Sequence, residues 1–324
     1  MNIVVTGSIA YDYLMTFPGR FAEHILPDQI EHLSVSFLVD EMRRQRGGCA
    51  ANIAYNLALL GERPRVMGTA GQDFGEYRAW LEQHGVDTSL IRDEPDLFTA
   101  SFFVSTDQDG NQIASFYTGA MARARDLSFH NLEGGQIDLV VISPNDPQAM
   151  VKHAAECREL DVPYLYDPSQ QIIRLSGDEL RAGLERCSIL IVNEYEFEML
   201  REKTGLRPEE IRAAPARACV VTLGAEGTRI WAEGTAHDVP IVPPERAGDP
   251  TGVGDAFRAG FIKGLSADLP WEVTGRMGAL AATYALEQPG SQSHHYTLAE
   301  FVARFRRFFE DEGMLDALLV SEEA

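Results

Sequence analysis

Positive charge is scarce in this sequence. Its 324 residues include 28 Lys and Arg against 49 Asp and Glu, a formal net charge of -21. A chain with that excess of negative charge is repelled by nucleic-acid phosphates and by anionic lipid surfaces. We therefore expect neither nucleic acid nor a membrane as a partner. If the protein binds phosphates, it must use a metal ion, backbone amides and a few well-placed cations.

Cysteines and long apolar runs are also few. No two of the four cysteines form a C-x-x-C unit, and no run approaches the ~20 apolar residues of a membrane-spanning helix. The N-terminus begins with a strand-like run, Ile3–Thr6, and lacks the pattern of a signal peptide. These features predict reduced thiols and a cytoplasmic protein. His294 and His295 lack a third ligand at metal spacing, which favours surface residues over a zinc site.

The dinucleotide fingerprint of Rossmann oxidoreductases is missing as well. In those enzymes G-x-G-x-x-G follows the first strand, so that the backbone can approach a pyrophosphate closely. Here the first strand is followed by Gly7-Ser8-Ile9-Ala10, which does not supply the glycines. The absence argues against a dinucleotide-dependent dehydrogenase.

Short apolar runs rich in β-branched residues recur along the chain and lack polar alternation. This pattern indicates strands buried on both faces of a parallel sheet, and helical patterns lie between them. The alternation predicts an α/β sandwich with right-handed crossovers. The predicted strands are Ile3–Thr6, Val66–Ala70, Leu139–Ile142, Ile189–Val192 and Val220–Leu223, and the predicted helices are Asn52–Leu60, Pro147–Leu160, Tyr195–Thr204 and Gly254–Gly264.

Two segments in the first 120 residues interrupt that alternation. Glu31–Val39 has the pattern of an isolated strand, and Phe98–Phe116 has two such runs around the turn Asp107–Gly110. We interpret them as parts of a small β-sheet that projects from the main domain. This sheet would form a lid from about residues 9–47 and 98–120.

One loop carries the strongest chemical signal. Gly252 and Gly254 flank Val253 at the start of a helical stretch, and Asp255 follows at once. Glycine lets the backbone approach a ligand, and amides at a helix N-terminus bind anions. The amides of Gly252, Val253 and Gly254 would form an anion hole. Asp255 would then be the base that takes the proton of a hydroxyl attacking the bound anion. The alternative is an ordinary helix start in which Asp255 only favours the helix dipole.

The whole run Asp249–Phe257, D-P-T-G-V-G-D-A-F, resembles the C-terminal signature of the ribokinase-like family, also called PfkB-type carbohydrate kinases. Arg46–Asn52, Asn193–Glu196 and Thr222–Gly227 resemble further family motifs in the same order, so the likeness covers nearly the whole chain. It implies a ribokinase-like three-layer α/β/α sandwich with a small β-sheet lid, as one domain over residues 1–324. It also implies an ATP-dependent phosphotransferase that uses Mg²⁺.

Within the family, bacterial adenosine kinases are the most similar group. The supporting segments are Gly7–Asp12, Phe17–Phe21, Ser36–Asp40, Ile113–Tyr117 and Asp167–Gln171. The resemblance implies phosphorylation of the 5′-hydroxyl of adenosine to AMP, a step of purine salvage, with Asp255 as general base. The alternatives are a ribose or fructose kinase of the same fold, a kinase for guanosine or inosine, and a nucleoside-binding protein without catalysis.

The resemblance also implies roles outside the anion hole. The residues implied in nucleoside binding are Ser8, Asp12, Gly48, Asn52, Phe102, Phe116, Gln170 and Gln171, with the base sandwiched between the two phenylalanines. Those implied in ATP binding are Asn193, Thr222, Gly224 and Gly227, and Glu196 is implied in holding Mg²⁺ through water. The structural alternatives are a capping box for Asn193 and Glu196, and apolar packing for the phenylalanines.

The sequence leaves three points open. Either Arg123 or Arg125 is a candidate to neutralise the transferred phosphoryl group. A monovalent cation such as K⁺ is common in the family, and the loop near Asp249 is its candidate site. The assembly implied is a monomer, or a homodimer formed through the lid.

Overall fold

The computed structural model of the protein describes residues 1–25, 31–32, 34–132, 135–246 and 248–320. Its strands are β1 (Ile3–Thr6), β2 (Ala10–Thr16), β3 (Glu41–Gly47), β4 (Arg65–Gly71), β5 (Ile91–Glu94), β6 (Ala100–Thr106), β7 (Gln112–Tyr117), β8 (Leu139–Ile142), β9 (Tyr164–Tyr166), β10 (Ile189–Asn193), β11 (Ala218–Thr222), β12 (Thr228–Ala232) and β13 (Thr235–Val239). Its α-helices are α1 (Phe21–His24), α2 (Cys49–Leu59), α3 (Gly75–Gln83), α4 (Pro147–Glu159), α5 (Gly177–Leu184), α6 (Glu194–Thr204), α7 (Pro208–Ala213), α8 (Val253–Ser266), α9 (Trp271–Leu286), α10 (Leu298–Phe308) and α11 (Asp316–Val320).

The large sheet has the strand order β13-β12-β11-β10-β9-β8-β1-β4-β5. Its neighbouring strands are parallel, except that β12 pairs antiparallel with both β11 and β13. The carboxyl ends of the parallel strands therefore meet at one edge. In open α/β sheets this edge is where ligands bind.

Helices cover both faces of the large sheet, which explains the apolar runs in its strands. Ile3 and Val5 of β1 belong to a core cluster that includes residues of α2, α3 and α8. Val4, which points to the opposite face, belongs to a second cluster with residues of α4, α5 and α6. The predicted α/β/α sandwich is therefore confirmed. Among the described helices, none combines the length and the apolar character needed to cross a membrane.

A separate small sheet has the order β3-β2-β6-β7. Strand β2 runs parallel to β6 and antiparallel to β3, and β6 and β7 form the hairpin predicted within Phe98–Phe116. The carboxylate of Asp107 holds the hairpin turn by accepting hydrogen bonds from the amides of Asp109 and Asn111. The four strands fall within residues 9–47 and 98–120, the segments predicted to form a lid.

The strand predicted at Glu31–Val39 is wrong. Residues 34–39 have no regular secondary structure, and the strand of the small sheet is β3, which follows them; Leu33 lies outside the described residues. The apolar pattern has another cause, because the ring of Phe37 packs on Phe17 and Phe21, with centroids 5.1 and 4.8 Å away. Strand β3 itself is rich in arginine, as suits the edge of a sheet.

Candidate active site

A cavity of about 470 Å³ lies between the carboxyl edge of the large sheet and one face of the small sheet. It brings together Asp255 and Gly252, at the start of α8, with every residue that the resemblance implied in nucleoside binding. Those residues are Ser8, Asp12, Gly48, Asn52, Phe102, Phe116, Gln170 and Gln171. The lining is completed by Ala10, Cys49, Met121, Pro144, Arg174 and Thr251.

The strand order explains why residues distant in sequence meet in this cavity. Ser8 follows β1, Pro144 follows β8, and Gln170 follows β9, and these three strands are neighbours in the large sheet. The three residues therefore lie at the same carboxyl edge of the large sheet. Asp12 and Phe102 lie opposite each other on β2 and β6 of the small sheet and close the cavity from the other side.

The start of α8 has a backbone that only glycine adopts readily. Gly252, the N-cap residue, has φ of 78°, in the left-handed region. A Cβ at this position would also lie 2.5 Å from the Cβ of Ser291. The loop is thus packed tightly while the first amides of the helix stay free of intrahelical partners, the arrangement that binds anions.

Asp255 is held by an asparagine whose orientation is fixed. The side-chain amide of Asn52 donates to Asp255 Oδ2 at 2.8 Å. Its carbonyl Oδ1 accepts from Ser291 Oγ and Gln292 Nε2, each at 2.9 Å. Two donors on the oxygen leave the NH₂ group to face the carboxylate. Asn52 is therefore both a lining residue and the support of the candidate base.

Burial raises the pKa of Asp255 to about 6, against the opposing effects of Arg258 and of the Asn52 hydrogen bond. Burial, with the charges of Asp249 and Asp255, likewise raises the pKa of Asp12 to about 6. A carboxylate with such a pKa is ionised at pH 7 and remains a better proton acceptor than an ordinary aspartate. These values suit Asp255 for general-base chemistry.

The connection from β3 into α2 is also tightly packed. Gly48 has φ of 94°, and a Cβ there would lie 2.6 Å from the amide nitrogen of Ala10 and from the carbonyl oxygen of Ser8. The amide of Cys49 donates to Ser8 Oγ at 3.0 Å. Gly48 thus allows the β3–α2 connection to lie directly against the strand that carries Asp12.

The two phenylalanines lie on one side of the cavity. Phe102 and Phe116 are register partners on the antiparallel strands β6 and β7, so their side chains point to the same face of the sheet. Both line the cavity, and Phe116 is 49% exposed. Because the two side chains lie on one face of one sheet, they form a platform on one side of the cavity. This arrangement does not fit the sandwich that the resemblance implied, which would need rings on both faces of the base. On the opposite face of the sheet, Phe103 stacks on Tyr13 with centroids 4.7 Å apart.

The residues predicted for ATP binding lie outside the lining of this cavity, at the ends of two neighbouring strands. Asn193 ends β10 and Thr222 ends β11, and the two are register partners. Gly224 and Gly227 follow in the turn between β11 and β12. These positions belong to the same carboxyl edge of the large sheet.

Glu196 takes part in the capping box that was the structural alternative. Its amide donates to Asn193 Oδ1, and its carboxylate accepts from the Asn193 amide, both at 2.8 Å. Ser169 Oγ donates to the other carboxylate oxygen at 3.0 Å. The carboxylate keeps lone pairs for water, so it fits Mg²⁺ held through water. The described residues contain no group of three or more His, Cys, Asp or Glu arranged to bind a metal, so the nucleotide would have to supply direct ligands.

The candidate cation loop at Asp249 is ordered by backbone amides. Asp249 accepts hydrogen bonds from the amides of Thr251 at 2.9 Å and Gly290 at 3.0 Å. The carboxylate therefore ties the start of the α8 loop to the segment that follows α9.

Two sequence interpretations change. Arg123 and Arg125 line a separate cavity, and Arg125 pairs with Asp146 at 2.5 Å. His294 is buried, with Nε2 2.7 Å from Asn56 Oδ1, because the segment after α9 folds against α2; the predicted surface position holds only for His295.

Several lining or supporting residues were missed. Cys49 follows the predicted Gly48 directly, and Arg174 lies three residues after the predicted Gln171, which was the available signal. Ser291 and Gln292 gave no signal, because their contact with Asn52 exists only in the folded chain.

Comparison with known proteins gives the family. The model of pfkB family carbohydrate kinases matches residues 3–297. A nucleoside kinase of Methanothermobacter thermautotrophicus is 29% identical over 306 residues, 94% of this chain and 95% of that protein. The structure of Burkholderia thailandensis nucleoside kinase with inosine has a TM-score of 0.84 and 37% identity, covering 95% of this chain and 98% of the other. The same enzyme with ADP-inosine has a TM-score of 0.82 and 39% identity, covering 95% and 96%. The chain therefore belongs to the pfkB family of carbohydrate kinases and has the ribokinase-like α/β fold.

Proposed function

We propose that the protein is a nucleoside kinase that transfers the γ-phosphoryl group of ATP to the 5′-hydroxyl of adenosine. The observation that carries the proposal is one cavity, which joins Asp255 and the anion-binding start of α8 to a carboxylate and two aromatic rings of the small sheet. Family membership supports phosphoryl transfer, and the similarity to nucleoside kinases supports a nucleoside acceptor.

At the acceptor end, Asp12 accepts hydrogen bonds from the vicinal 2′- and 3′-hydroxyls of ribose. The base lies against the platform of Phe102 and Phe116, where base–aromatic stacking contributes ~1–3 kcal/mol. Ser8, Gln170 and Gln171 offer further polar contacts around the nucleoside.

In the chemical step, Asp255 removes the proton of the 5′-hydroxyl while that oxygen attacks the γ-phosphorus of ATP. The bond from the γ-phosphorus to its bridging oxygen breaks, and ADP leaves. The amides of Gly252, Val253 and Gly254 stabilise the charge on the transferred group. Glu196 would hold Mg²⁺ through water, and the bound metal would supply the charge neutralisation on the phosphates that this acidic chain cannot supply alone. Protonated Asp255 then returns its proton to solvent.

A second candidate substrate is a 6-oxopurine nucleoside, inosine or guanosine. Arg174 lines the cavity, and its guanidinium offers only donors, which complement the O6 and N7 acceptors of such a base. Gln171 is 7% exposed, and its Oε1 has no hydrogen-bond partner, so it can accept from N1–H. The related Burkholderia enzyme with inosine also favours this candidate.

A direct comparison of substrates tests these assignments. ADP release would be measured with Mg·ATP and, in turn, adenosine, inosine, guanosine, ribose and fructose, with Asp255→Asn as the control for background hydrolysis. Turnover of adenosine above the two sugars is expected. If inosine or guanosine reacts faster than adenosine, that nucleoside is the substrate in place of adenosine. If ribose or fructose reacts faster than every nucleoside, the nucleoside assignment is wrong.

We further propose one kinase domain over residues 1–324, acting in the cytoplasm in purine salvage, with the small sheet as a lid.

The outer face of the small sheet exposes Met42, Phe103 and Ile113, whose exposed fractions are 62%, 38% and 43%. Exposed apolar side chains on one face are typical of an interface, so they favour a homodimer formed through the lid. The alternative is a monomer. Sedimentation equilibrium of the wild-type chain and of Phe103→Glu distinguishes the two, because only a dimer through this face is weakened by the substitution.

A further inference from the structure

Arg258 is a buried cation beside the anion-binding loop. It lies three residues after Asp255 on α8, so the two side chains share one face of the helix. Arg258 is 7% exposed. Its side chain runs back toward the start of the helix, since a Cβ on Gly254 would lie 2.7 Å from Arg258 Nη1. The guanidinium therefore stands directly next to the backbone predicted to bind phosphate.

Asp167 holds this guanidinium in two places. Arg258 Nη2 donates to Asp167 Oδ1 at 2.5 Å, and Nε contacts Oδ2. Asp167 is 1% exposed, so the pair is shielded from water. Burial raises the pKa of Asp167, and the guanidinium opposes that rise. A two-point contact fixes the orientation of both side chains as well as their separation.

The pair connects two parts of the candidate site. Asp167 follows β9 and begins the segment that continues into Ser169, bonded to Glu196, and into Gln170 and Gln171, which line the cavity. Arg258 belongs to the helix that carries Asp255. A displacement of this ion pair would therefore shift the acceptor-binding segment relative to the base.

The pair also controls the charge around Asp255. Arg258, on the same helix, is the cation that acts on Asp255, and it lowers the pKa of that carboxyl. The titratable groups that face Asp255 from the packed elements are Asp12 on β2, Cys49 on α2 and Asp167 after β9. In their ionised forms all three repel its negative charge. Asn52 adds a neutral hydrogen bond.

We propose that Arg258, held by Asp167, is a positioning residue for phosphoryl transfer. It fixes the start of α8 against the acceptor-binding segment, and it keeps Asp255 ionised at the pH where the base must accept a proton. The inference rests on the proposed function for its kinetic test, and it assigns a role to a residue outside the family motifs quoted above.

The test uses three variants, Arg258→Met, Asp167→Asn and the double variant with both changes. The pH profile of kcat/KM is measured by ADP release with adenosine, or with inosine if adenosine is not a substrate. In Arg258→Met the midpoint pH of the acid limb, where kcat/KM falls as Asp255 is protonated, should rise by about one unit, because Asp255 loses its nearby positive charge. In Asp167→Asn this midpoint pH should fall, because the negative charge that offsets the positive charge of Arg258 is gone. The double variant should return close to the wild-type limb.

Arg304→Met provides the matched control. Arg304 is a buried arginine with a two-point contact to Glu287, at 2.7 and 2.9 Å, and neither residue lines the acceptor cavity. Its loss should leave the acid limb unchanged even if the protein is less stable. The opposite shifts of the two single variants are the result that a purely structural ion pair does not produce.

The titration of the Asp255 carboxyl, followed by NMR in ¹³C-labelled wild type and variants, gives a readout independent of turnover. If the acid limb and this titration are the same in wild type, Arg258→Met and Asp167→Asn, the proposal is wrong. If the wild type phosphorylates no nucleoside, the proposed function fails instead, and the NMR titration alone decides the role of Arg258.

Discussion

The carboxylate of Asp255 can be removed with almost no change of shape. Asp255→Asn keeps the size of the side chain but cannot accept the proton of the nucleoside. We expect kcat to fall by at least ~10²-fold, with the KM values for ATP and adenosine within a few-fold of wild type. Steady-state kinetics with both substrates checks this. Near wild-type turnover of the variant would exclude Asp255 as the base.

Phe102 and Phe103 are adjacent on β6 and point to opposite faces of the small sheet, which makes them a matched pair. Phe102→Ala should raise the KM for adenosine by about 5- to 150-fold, because a stacking surface worth ~1–3 kcal/mol is lost. The KM for ATP should change little. Phe103→Ala removes the ring that stacks on Tyr13, outside the cavity, and should leave both KM values nearly unchanged.

Equal effects of the two changes on the KM for adenosine would contradict the platform. They would indicate that both rings act only through the stability of the small sheet. Measurement of thermal unfolding for both variants separates a loss of stability from a loss of binding.

At the scale of residues, local motifs were the predictable part of the site. The glycines around Asp255 are forced by the backbone of their own loop, so they leave a signal in a few consecutive positions. Ser291 and Gln292 leave no such signal, because they act on Asn52 across a fold that the sequence does not display. Arg258 lay within the predicted helix, but its partner Asp167 comes from another strand end.

Among the elements, the small sheet is the one expected to move. If it closes over the nucleoside, amide hydrogen exchange in β2, β3, β6 and β7 should slow at saturating adenosine. The hairpin of β12 and β13, at the far edge of the large sheet, should keep its exchange rates and serves as the internal control. Unchanged exchange in all four strands of the small sheet would argue against a lid.

The junction of β10 and α6 is expected to control the metal requirement. Glu196→Gln keeps the side-chain length but removes the charge that would hold Mg²⁺ through water. We expect the Mg²⁺ concentration for half-maximal activity to rise several-fold, while activity at saturating Mg²⁺ is largely recovered. Wild-type activity should vanish in EDTA and return with Mg²⁺. Activity of the metal-free enzyme would reject this role.

Buried elements were predicted better than edge elements. The central strands β1 and β8 match the predicted bounds, because burial on both faces leaves continuous apolar runs. Strand β3 is charged and lies at an edge, and its neighbouring loop carries the apolar pattern instead. The sequence therefore predicted the existence of a small sheet but misassigned one of its strands.

For the whole molecule, the clustered carboxylates of the site lower stability. Folding raises the pKa of Asp255 from the ordinary aspartate value of 3.8 to about 6, chiefly through burial, so the folded state holds that proton more tightly. Its contribution to stability is therefore greatest at low pH and is lost as pH rises from about 4 to 6. Asp255→Asn should unfold at a temperature a few degrees higher than wild type at pH 7.5, about 1 kcal/mol of stabilisation after allowance for solvent screening.

The difference in unfolding temperature between Asp255→Asn and wild type should shrink as pH falls through 6 toward 4. Differential scanning calorimetry across that pH range measures it. A variant that is less stable than wild type at pH 7.5 would show that the hydrogen bond from Asn52 outweighs the cost of burying the charge.

The link between Asn52 and the segment after α9 has a consequence for biosynthesis. The residues that orient Asn52 come 239 and 240 positions later in the chain. Because a ribosome releases the N-terminal part first, the lid strands and α2 emerge long before the side chains that aim the amide at Asp255. Nascent chains that stop short of Ser291 should be inactive even when most of the large sheet has formed, so translation must pass Gln292 before a molecule can turn over its first substrate.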